Sequence, residues 1–385
     1  MDSWKVSLFT LISTFSLALD LAENKKLEHA QRVAYLALRT GEKLGLAPDR
    51  LRLVFYGGLL HDIGKVNAQL PVESHPLAGA RWSTQLPLLT EIAPIIAAHH
   101  EAWDGSGFPL GLSGEEIPIE AQLLFLADQI ENQFGQDYDL LPVQERIVAF
   151  VEKEKGKRLA PVVADACLEL LQEPRVYYDL AHRNLAQAIR RRSQVFDQEI
   201  QRASLKHLAL LFADLVDAKS PYTAAHSRRV ANTAFYLGQA LGLPAAQCRQ
   251  LYLAGLLHDL GKLAVPSAIL DKPDQLTPQE YSRIIAHAYY TERLLMEIPG
   301  LEELAFWAAA HHEKLDGSGY PSRLRADQLP LPARILAVAD YYQALADDRP
   351  YRAALPREKI YHLLRQEAVA GRFDARVVEA LLNLF

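Results

Sequence analysis

Apolar residues recur every three or four positions through 205–216, 230–241 and 249–257, the spacing that lines one face of an α-helix. No stretch alternates apolar and polar residues long enough to predict a strand, so the fold class is all-α. Gly41, Gly45, Gly238 and Gly242 fall where these helices should stop, and Pro266 and Pro273 mark loops. The segment 177–201 is rich in Ala, Leu, Gln and Arg and holds neither Gly nor Pro, which predicts one long connecting helix.

The pattern occurs twice. Asp20, His29, Leu44-Gly45-Leu46 and His61-Asp62 return as Asp217, His226, Leu241-Gly242-Leu243 and His258-Asp259, at a constant offset of 197. His75, His99-His100, Asp104-Gly105-Ser106-Gly107 and Asp128 return as His287, His311-His312, Asp316-Gly317-Ser318-Gly319 and Asp340, at an offset of 212. The second copy therefore carries 15 extra residues between its His-Asp pair and the next His. Two tandem helical domains follow, 1–172 and 203–385, joined by a helix over 173–202. A chain of 385 residues is comfortable for two such cores.

Half the residues are apolar and 23% are charged, the balance of an ordinary folded protein. The net charge of −6 provides no basic stripe for duplex nucleic acid, and Arg190-Arg191-Arg192 reads as one solvated helix face. Two cysteines, Cys167 and Cys248, give no disulfide framework and suit a reducing, cytoplasmic setting. The apolar run 6–21 is broken by Ser7, Thr10, Ser13, Thr14, Ser16 and Asp20, so neither a membrane span nor a signal peptide is predicted.

A His beside an Asp proves little. Here, however, His258-Asp259 is accompanied by His226, His287, His311, His312 and Asp340 on several helical segments, and the whole set has a counterpart in the other half. Imidazole and carboxylate together suit iron, manganese, nickel or zinc better than calcium or magnesium. Seven ligands are too many for one ion. Two ions about 3.5–4 Å apart and sharing a carboxylate account for the count, and this is the arrangement used in phosphate-ester hydrolysis.

The run His258-Asp259-Leu260-Gly261-Lys262, followed by His311-His312-Glu313 and Asp316-Gly317-Ser318-Gly319-Tyr320-Pro321, resembles the HD-GYP subgroup of the HD hydrolases. Tyr222-Thr223 before His226-Ser227, and Asp348-Arg349-Pro350-Tyr351-Arg352 after Asp340, extend the resemblance across the second half. It implies a metal-dependent phosphodiesterase in which Asp259 bridges two metals, iron or manganese ahead of nickel or zinc. His226, His258 and Asp340 would complete one ion; His287, His311 and His312 would hold the other. Water activated between the ions would attack phosphorus in line. Lys262 would stand by the scissile phosphate, Arg349 and Arg352 would fork onto the second phosphate, Tyr320 would shape the pocket and Lys272 would reach substrate.

Two positions depart from that family's pattern. Tyr222 stands one turn before His226, where members holding a third metal have Glu, which favours two ions; Ala288 follows His287 in place of the usual Pro, so that helix is expected to begin differently. The implied reaction is hydrolysis of cyclic di-GMP to linear pGpG and onward to GMP. The alternatives are another cyclic or linear dinucleotide, or a non-catalytic, metal-bound nucleotide sensor, with a homodimer left open in each case. In the first half His29, His61, Asp62, His75, His99, His100 and Asp128 would hold further metal, and Lys65 matches Lys262. That half lacks the insertion, has Phe108 at the Tyr320 position, and has no Arg or Lys in 129–139, so little turnover is expected from it.

Overall fold

A computed structural model of the chain describes residues 6–22, 28–66, 71–134, 142–220, 225–348 and 353–385. Two compact units make it up, one spanning Ser7–Ile200 and the other built on Gln201–Phe385. The first holds α1 (Leu8–Ala22), α2 (His29–Lys43), α3 (Pro48–Leu60), α4 (His75–Ser83), α5 (Ala93–Ala97), α6 (Ile119–Phe134), α7 (Pro142–Glu154), α8 (Pro161–Leu170), α9 (Pro174–Leu180) and α10 (His182–Ser193). The second holds α11 (Arg202–Ala218), α12 (His226–Ala240), α13 (Ala245–Leu257), α14 (Ser267–Leu270), α15 (Pro278–Met296), α16 (Glu302–Ala309), α17 (Leu331–Ala346), α18 (Arg357–Val369) and α19 (Ala375–Leu384). The all-α expectation holds. Among the described residues, isolated bridges at Lys155–Leu159 and Asp316–Arg325 aside, the strands are two short ones, β1 (Val6–Ser7) and β2 (Glu199–Ile200). Beside them Asp197 accepts from Ser7 Oγ at 2.8 Å and from Phe9 N at 3.1 Å.

Each unit is organised around the helix that opens with the first motif histidine. In the first unit α2 packs on α3, α6 and α8 and is buried from His29 to Gly41. In the second, α12 packs on α13 and α17. Both helix pairs meet at a glycine. A Cβ added at Gly58 would lie 2.6 Å from Ala34 Cα, and one at Gly255 would lie 2.6 Å from Ala231 Cα, so backbone meets backbone and no larger residue fits. Of the predicted helix stops, Gly45 and Gly242 follow the helix ends with positive φ. Gly41 and Gly238 instead lie inside the last turns, where the neighbouring Leu51 and Leu251 side chains leave little room.

The connecting segment 173–202 is not one helix. It breaks at Ala181, whose backbone is extended (φ −61°, ψ 131°), and Asn184 Nδ2 caps the break by donating to Tyr178 O at 2.8 Å. The helix then ends at Ser193, and Gln201 is again extended before α11. Local side-chain bonding and packing decide here. Leu180, Leu185 and Ile189 are buried, and Asp179 accepts the Tyr35 hydroxyl at 2.8 Å, so α9 and α10 fold into the first unit.

The 15 extra residues of the second half build α14 and the front of α15. In the first unit α4 begins at His75, because Pro76 cannot continue a helix from before it. At the equivalent place Ala288 lets α15 run straight through His287 from Pro278, where a Thr277–Glu280 capping box starts it. Among the described residues no helix is long and apolar enough to cross a membrane, and both cysteines are free and buried.

Candidate metal centres

In the second unit the motif residues come from helix ends and two helix interiors. His226 opens α12, held there by Asp217 of α11, which accepts from Ser227 N at 3.1 Å and Ser227 Oγ at 2.8 Å. His258 and Asp259 close α13, and His311 and His312 lie in a 3-10 turn after α16. His287 faces inward from α15 and Asp340 from α17. After Asp259 the chain makes a tight turn against α15. A Cβ at Gly261 would come within 2.0 Å of His287 O, which explains Gly at this place. Thr291 fastens the contact, donating to His258 O at 3.0 Å and accepting from Gly261 N at 2.9 Å.

Asp259 is the hub. Its Oδ1 faces His287 Nε2 at 3.4 Å and His311 Nε2 at 3.8 Å; its Oδ2 faces His258 Nε2 at 3.2 Å and His226 Nε2 at 3.9 Å. Asp340 Oδ1 lies 3.2 Å from His226 Nε2 and 3.6 Å from His258 Nε2, and its Oδ2 lies 3.7 Å from His312 Nδ1. All seven expected residues thus converge. His258, His287 and His311 each turn Nδ1 onto the carbonyl three residues earlier, at 2.8, 2.6 and 2.6 Å, so Nε2 is the atom offered to the site.

The electrostatics suit a cation. Burial pushes the His287 imidazole down to about 4 and that of His311 well below its usual value, so both rings are neutral at pH 7 and keep a lone pair. Burial pulls Asp259 and Asp340 upward, but His258 and Lys262 beside the one, and His226 and His258 beside the other, hold both carboxyls well below the ordinary range. His258 goes the opposite way: burial lowers it, yet the carboxylates of Asp259 and Asp340 prevail and raise it to about 10. A metal ion would take over the role of that proton. His258 Nε2 and Asp259 Oδ1 are buried without a hydrogen-bond partner, an expensive condition that an ion between them relieves.

Around this cluster, Lys262 Nζ lies 2.5 Å from Asp259 Oδ2 with its side chain still 17% exposed, at the rim. The Tyr320 ring tilts over His312, centroids 4.7 Å apart. Buried Glu313 holds the loop that carries Tyr320, accepting from Ser322 N at 2.6 Å and Leu324 N at 3.0 Å. Lys272 is engaged by Glu280 at 2.8 Å, so the structure gives its ammonium a protein partner rather than an open approach to substrate. Arg349, Arg352 and Tyr222 lie outside the described residues. Two neighbours that the sequence did not single out are Asp347, whose Oδ2 is 2.9 Å from His226 Nδ1, and Arg229, whose Nη2 is 2.8 Å from Asp347 Oδ1.

The first unit repeats the arrangement. Asp62 Oδ1 faces His75 at 3.4 Å and His99 at 3.8 Å, Asp62 Oδ2 faces His61 at 3.2 Å and His29 at 3.9 Å, and Asp128 Oδ1 lies 3.4 Å from His29. His100 stacks beside His99, and Phe108 tilts over His100 at 4.8 Å as Tyr320 does over His312. Asp62 with His75, His99 and His100, and His29 with His61 and Asp62, are two groups able to hold a cation.

Residues 27–133 and 211–377 each match the HD domain family. The sequence is 29% identical to the 3'3'-cGAMP-specific phosphodiesterase 1 of Vibrio cholerae serotype O1, over 99% of this chain and 92% of that protein. A crystal structure of a cyclic GMP-AMP specific phosphodiesterase of V. cholerae superposes with a TM-score of 0.73 at 28% identity, covering 99% of both chains. A cyclic di-GMP phosphodiesterase of Pseudomonas aeruginosa is 37% identical over 48% of this chain and 45% of its own length. With one HD match in each half, and with relatives of this kind, the chain belongs to the HD hydrolases as a tandem protein of the HD-GYP phosphodiesterase type.

Proposed function

We propose that the chain is a metal-dependent cyclic-dinucleotide phosphodiesterase whose second unit carries the chemistry, with 3'3'-cGAMP preferred over cyclic di-GMP. The observation that carries the reading is the convergence of seven side chains, Asp259 among them, into one largely buried cluster. The substrate ranking departs from the cyclic di-GMP expectation for one reason. The cGAMP-specific relative matches both halves of the chain, whereas the P. aeruginosa cyclic di-GMP enzyme matches about half of it.

In this reading His226, His258, Asp259 and Asp340 hold one first-row ion, and Asp259, His287, His311 and His312 hold the second. Such ions, when bound, supply water activation at neutral pH and charge neutralisation at phosphorus. The protein's own groups do the rest. Asp259, its carboxyl held well below the ordinary range by His258 and Lys262, is charged at neutral pH and lies between the two ligand sets. Lys262, one turn beyond it, lends positive charge to the phosphate or to the departing oxygen. Tyr320 and His312 form an aromatic wall against which a base or ribose can lie. Arg349 and Arg352 are assigned the second phosphate, which a mononucleotide would not need.

The first unit, in the same reading, binds metal and contributes little turnover, since its rim lacks the α14 and α15 extension and carries Phe108 for Tyr320. The test is a panel assay: full-length protein loaded with Mn²⁺ or Fe²⁺ and given 3'3'-cGAMP, cyclic di-GMP, cyclic di-AMP and linear pGpG. The expected order places 3'3'-cGAMP first. Faster hydrolysis of cyclic di-GMP would reverse the ranking, and tight binding of all four without hydrolysis would make the protein a sensor.

A further inference from the structure

We propose that Asp347, braced by Arg229, is the positioning residue that fixes the ring of His226 for metal binding, an inference that rests on the metal-centre reading above. The other inward-facing histidines, His258, His287 and His311, are oriented by a carbonyl one turn earlier in their own segment. His226 is the first residue of its helix and follows Ala225, whose φ is +58°, and among the described residues the partner of its Nδ1 is a side chain.

Asp347 supplies that side chain. It caps the C-terminus of α17 in an extended conformation (φ −95°, ψ 150°), two turns beyond Asp340 on the same helix. One helix thereby delivers both a ligand candidate for His226 Nε2, at 3.2 Å, and a carboxylate for Nδ1, at 2.9 Å. Arg229, one turn into α12, holds the second carboxylate oxygen at 2.8 Å and so sets the direction of the first. A carboxylate on Nδ1 retains the proton there and selects the tautomer with its lone pair on Nε2.

The first unit also places a carboxylate beside the opening histidine, at a longer distance and from a different position. His29 also opens its helix, after Glu28 with φ +75°, and its Nδ1 lies 3.8 Å from Glu131 Oε1. Arg32, which matches Arg229, donates to that same oxygen at 2.7 Å. The residue aligned with Glu131 is Gln343, which instead donates to Thr233 Oγ1 at 2.8 Å. The carboxylate beside the opening histidine has moved one helical turn along, while the arginine stayed. An acid and an arginine beside the same ring nitrogen in both units, from different helix positions, is the arrangement a metal-ligating histidine calls for.

The test uses the full-length chain carrying Asp62→Ala, which removes the central carboxylate of the first unit, with Mn²⁺ as the probe and free ion read by electron paramagnetic resonance. Asp347→Ala in that background is expected to weaken Mn²⁺ binding by about 10–100-fold, the usual effect of losing such a partner, while the metal-free protein keeps its unfolding midpoint. Asp347→Asn retains shape and an acceptor but no charge, and is expected to fall between parent and Ala variant. If both variants bind Mn²⁺ as the parent does, the positioning role is overturned and the metal centre stands. A lowered metal-free midpoint in Asp347→Asn, parallel to its lost affinity, would make the residue structural and also overturn the role. If the Asp62→Ala parent takes up no Mn²⁺, the metal-centre reading itself fails and carries the inference with it.

Discussion

The two units hold the same seven side chains in the same order and at nearly the same spacings, yet they differ in almost everything that touches the outside of the cluster. His75 and His287 both lie 3.4 Å from the central carboxylate, and His61 and His258 both lie 3.2 Å from it. The lysines diverge. Lys65 pairs with the Asp62 oxygen that faces His75 and His99, while Lys262 pairs with the Asp259 oxygen that faces His226 and His258. The aromatic lid residue changes from Phe to Tyr, and the helix bearing the third histidine grows from 9 to 19 residues. The His/Asp cluster is set by where helices end and cross, and it is present in both halves. The rim, which decides what can dock and react, is free to change.

The largest expected effect separates the halves directly. Asp259→Ala should lower hydrolysis of the preferred dinucleotide at least about 10³-fold, since it removes the group common to both ligand sets. Asp62→Ala should change it only a few-fold. Elemental analysis of the two variants beside the kinetics checks both points, and the reverse ranking would put the active centre in the first unit. Next comes the lysine pair. Lys262→Ala is expected to cost about 10²-fold in kcat with metal content kept, the scale of one lost charge-stabilising donor, whereas Lys65→Ala should leave turnover alone.

A third experiment probes what the halves share. Gly58→Ala and Gly255→Ala each push a methyl into the backbone of the facing helix, and each should destabilise its own unit by about 1–3 kcal/mol. At the size of these units that corresponds to a fall of roughly 2–4 °C per kcal/mol in the midpoint of the affected transition. Equal losses are expected, and a marked inequality would show that one crossing is looser than its backbone geometry indicates.

The smallest effect is specific to the second unit. Buried Lys219 donates to Leu263 O, and burial brings it from 10.5 down to about 8; the aligned residue of the first half is Ala22. Between about pH 8 and 10.5 the unfolded chain binds more protons than the folded one, so stability should rise with pH across that window. Urea unfolding at pH 7.5 and 9.5 is expected to register a gain on the order of 1 kcal/mol in the second unit. Lys219→Met should abolish the gain, and a pH response unchanged by that substitution would assign it to another group.

The convergent histidines and aspartates were legible in the sequence because duplication displays them twice; His226 or His287 alone would have been an ordinary core histidine. The helical fold was legible from periodicity, and the run-through of α15 from Ala288. Asp347 was not legible. Position-by-position comparison pairs Glu131 with Gln343, so the brace disappears from any alignment of the halves and is visible only as a distance. The break at Ala181 was hidden too, since neither Gly nor Pro marks it and the capping Asn184 is common in any polar helix. The pairing of Lys272 with Glu280 depends on the capping box at Thr277, which becomes a partner for the lysine only once the loop has folded.

Pro76 and Ala288 set different futures for the two halves. With proline directly after the ligand, the helix of the first unit cannot be lengthened toward its N-terminus, whatever is inserted before it. With alanine there, each residue added upstream can join the helix and carry new side chains over the mouth of the cluster. A single ring therefore decides how added chain is used: before Pro76 it must pack as a separate element, whereas before Ala288 it can extend the helix itself.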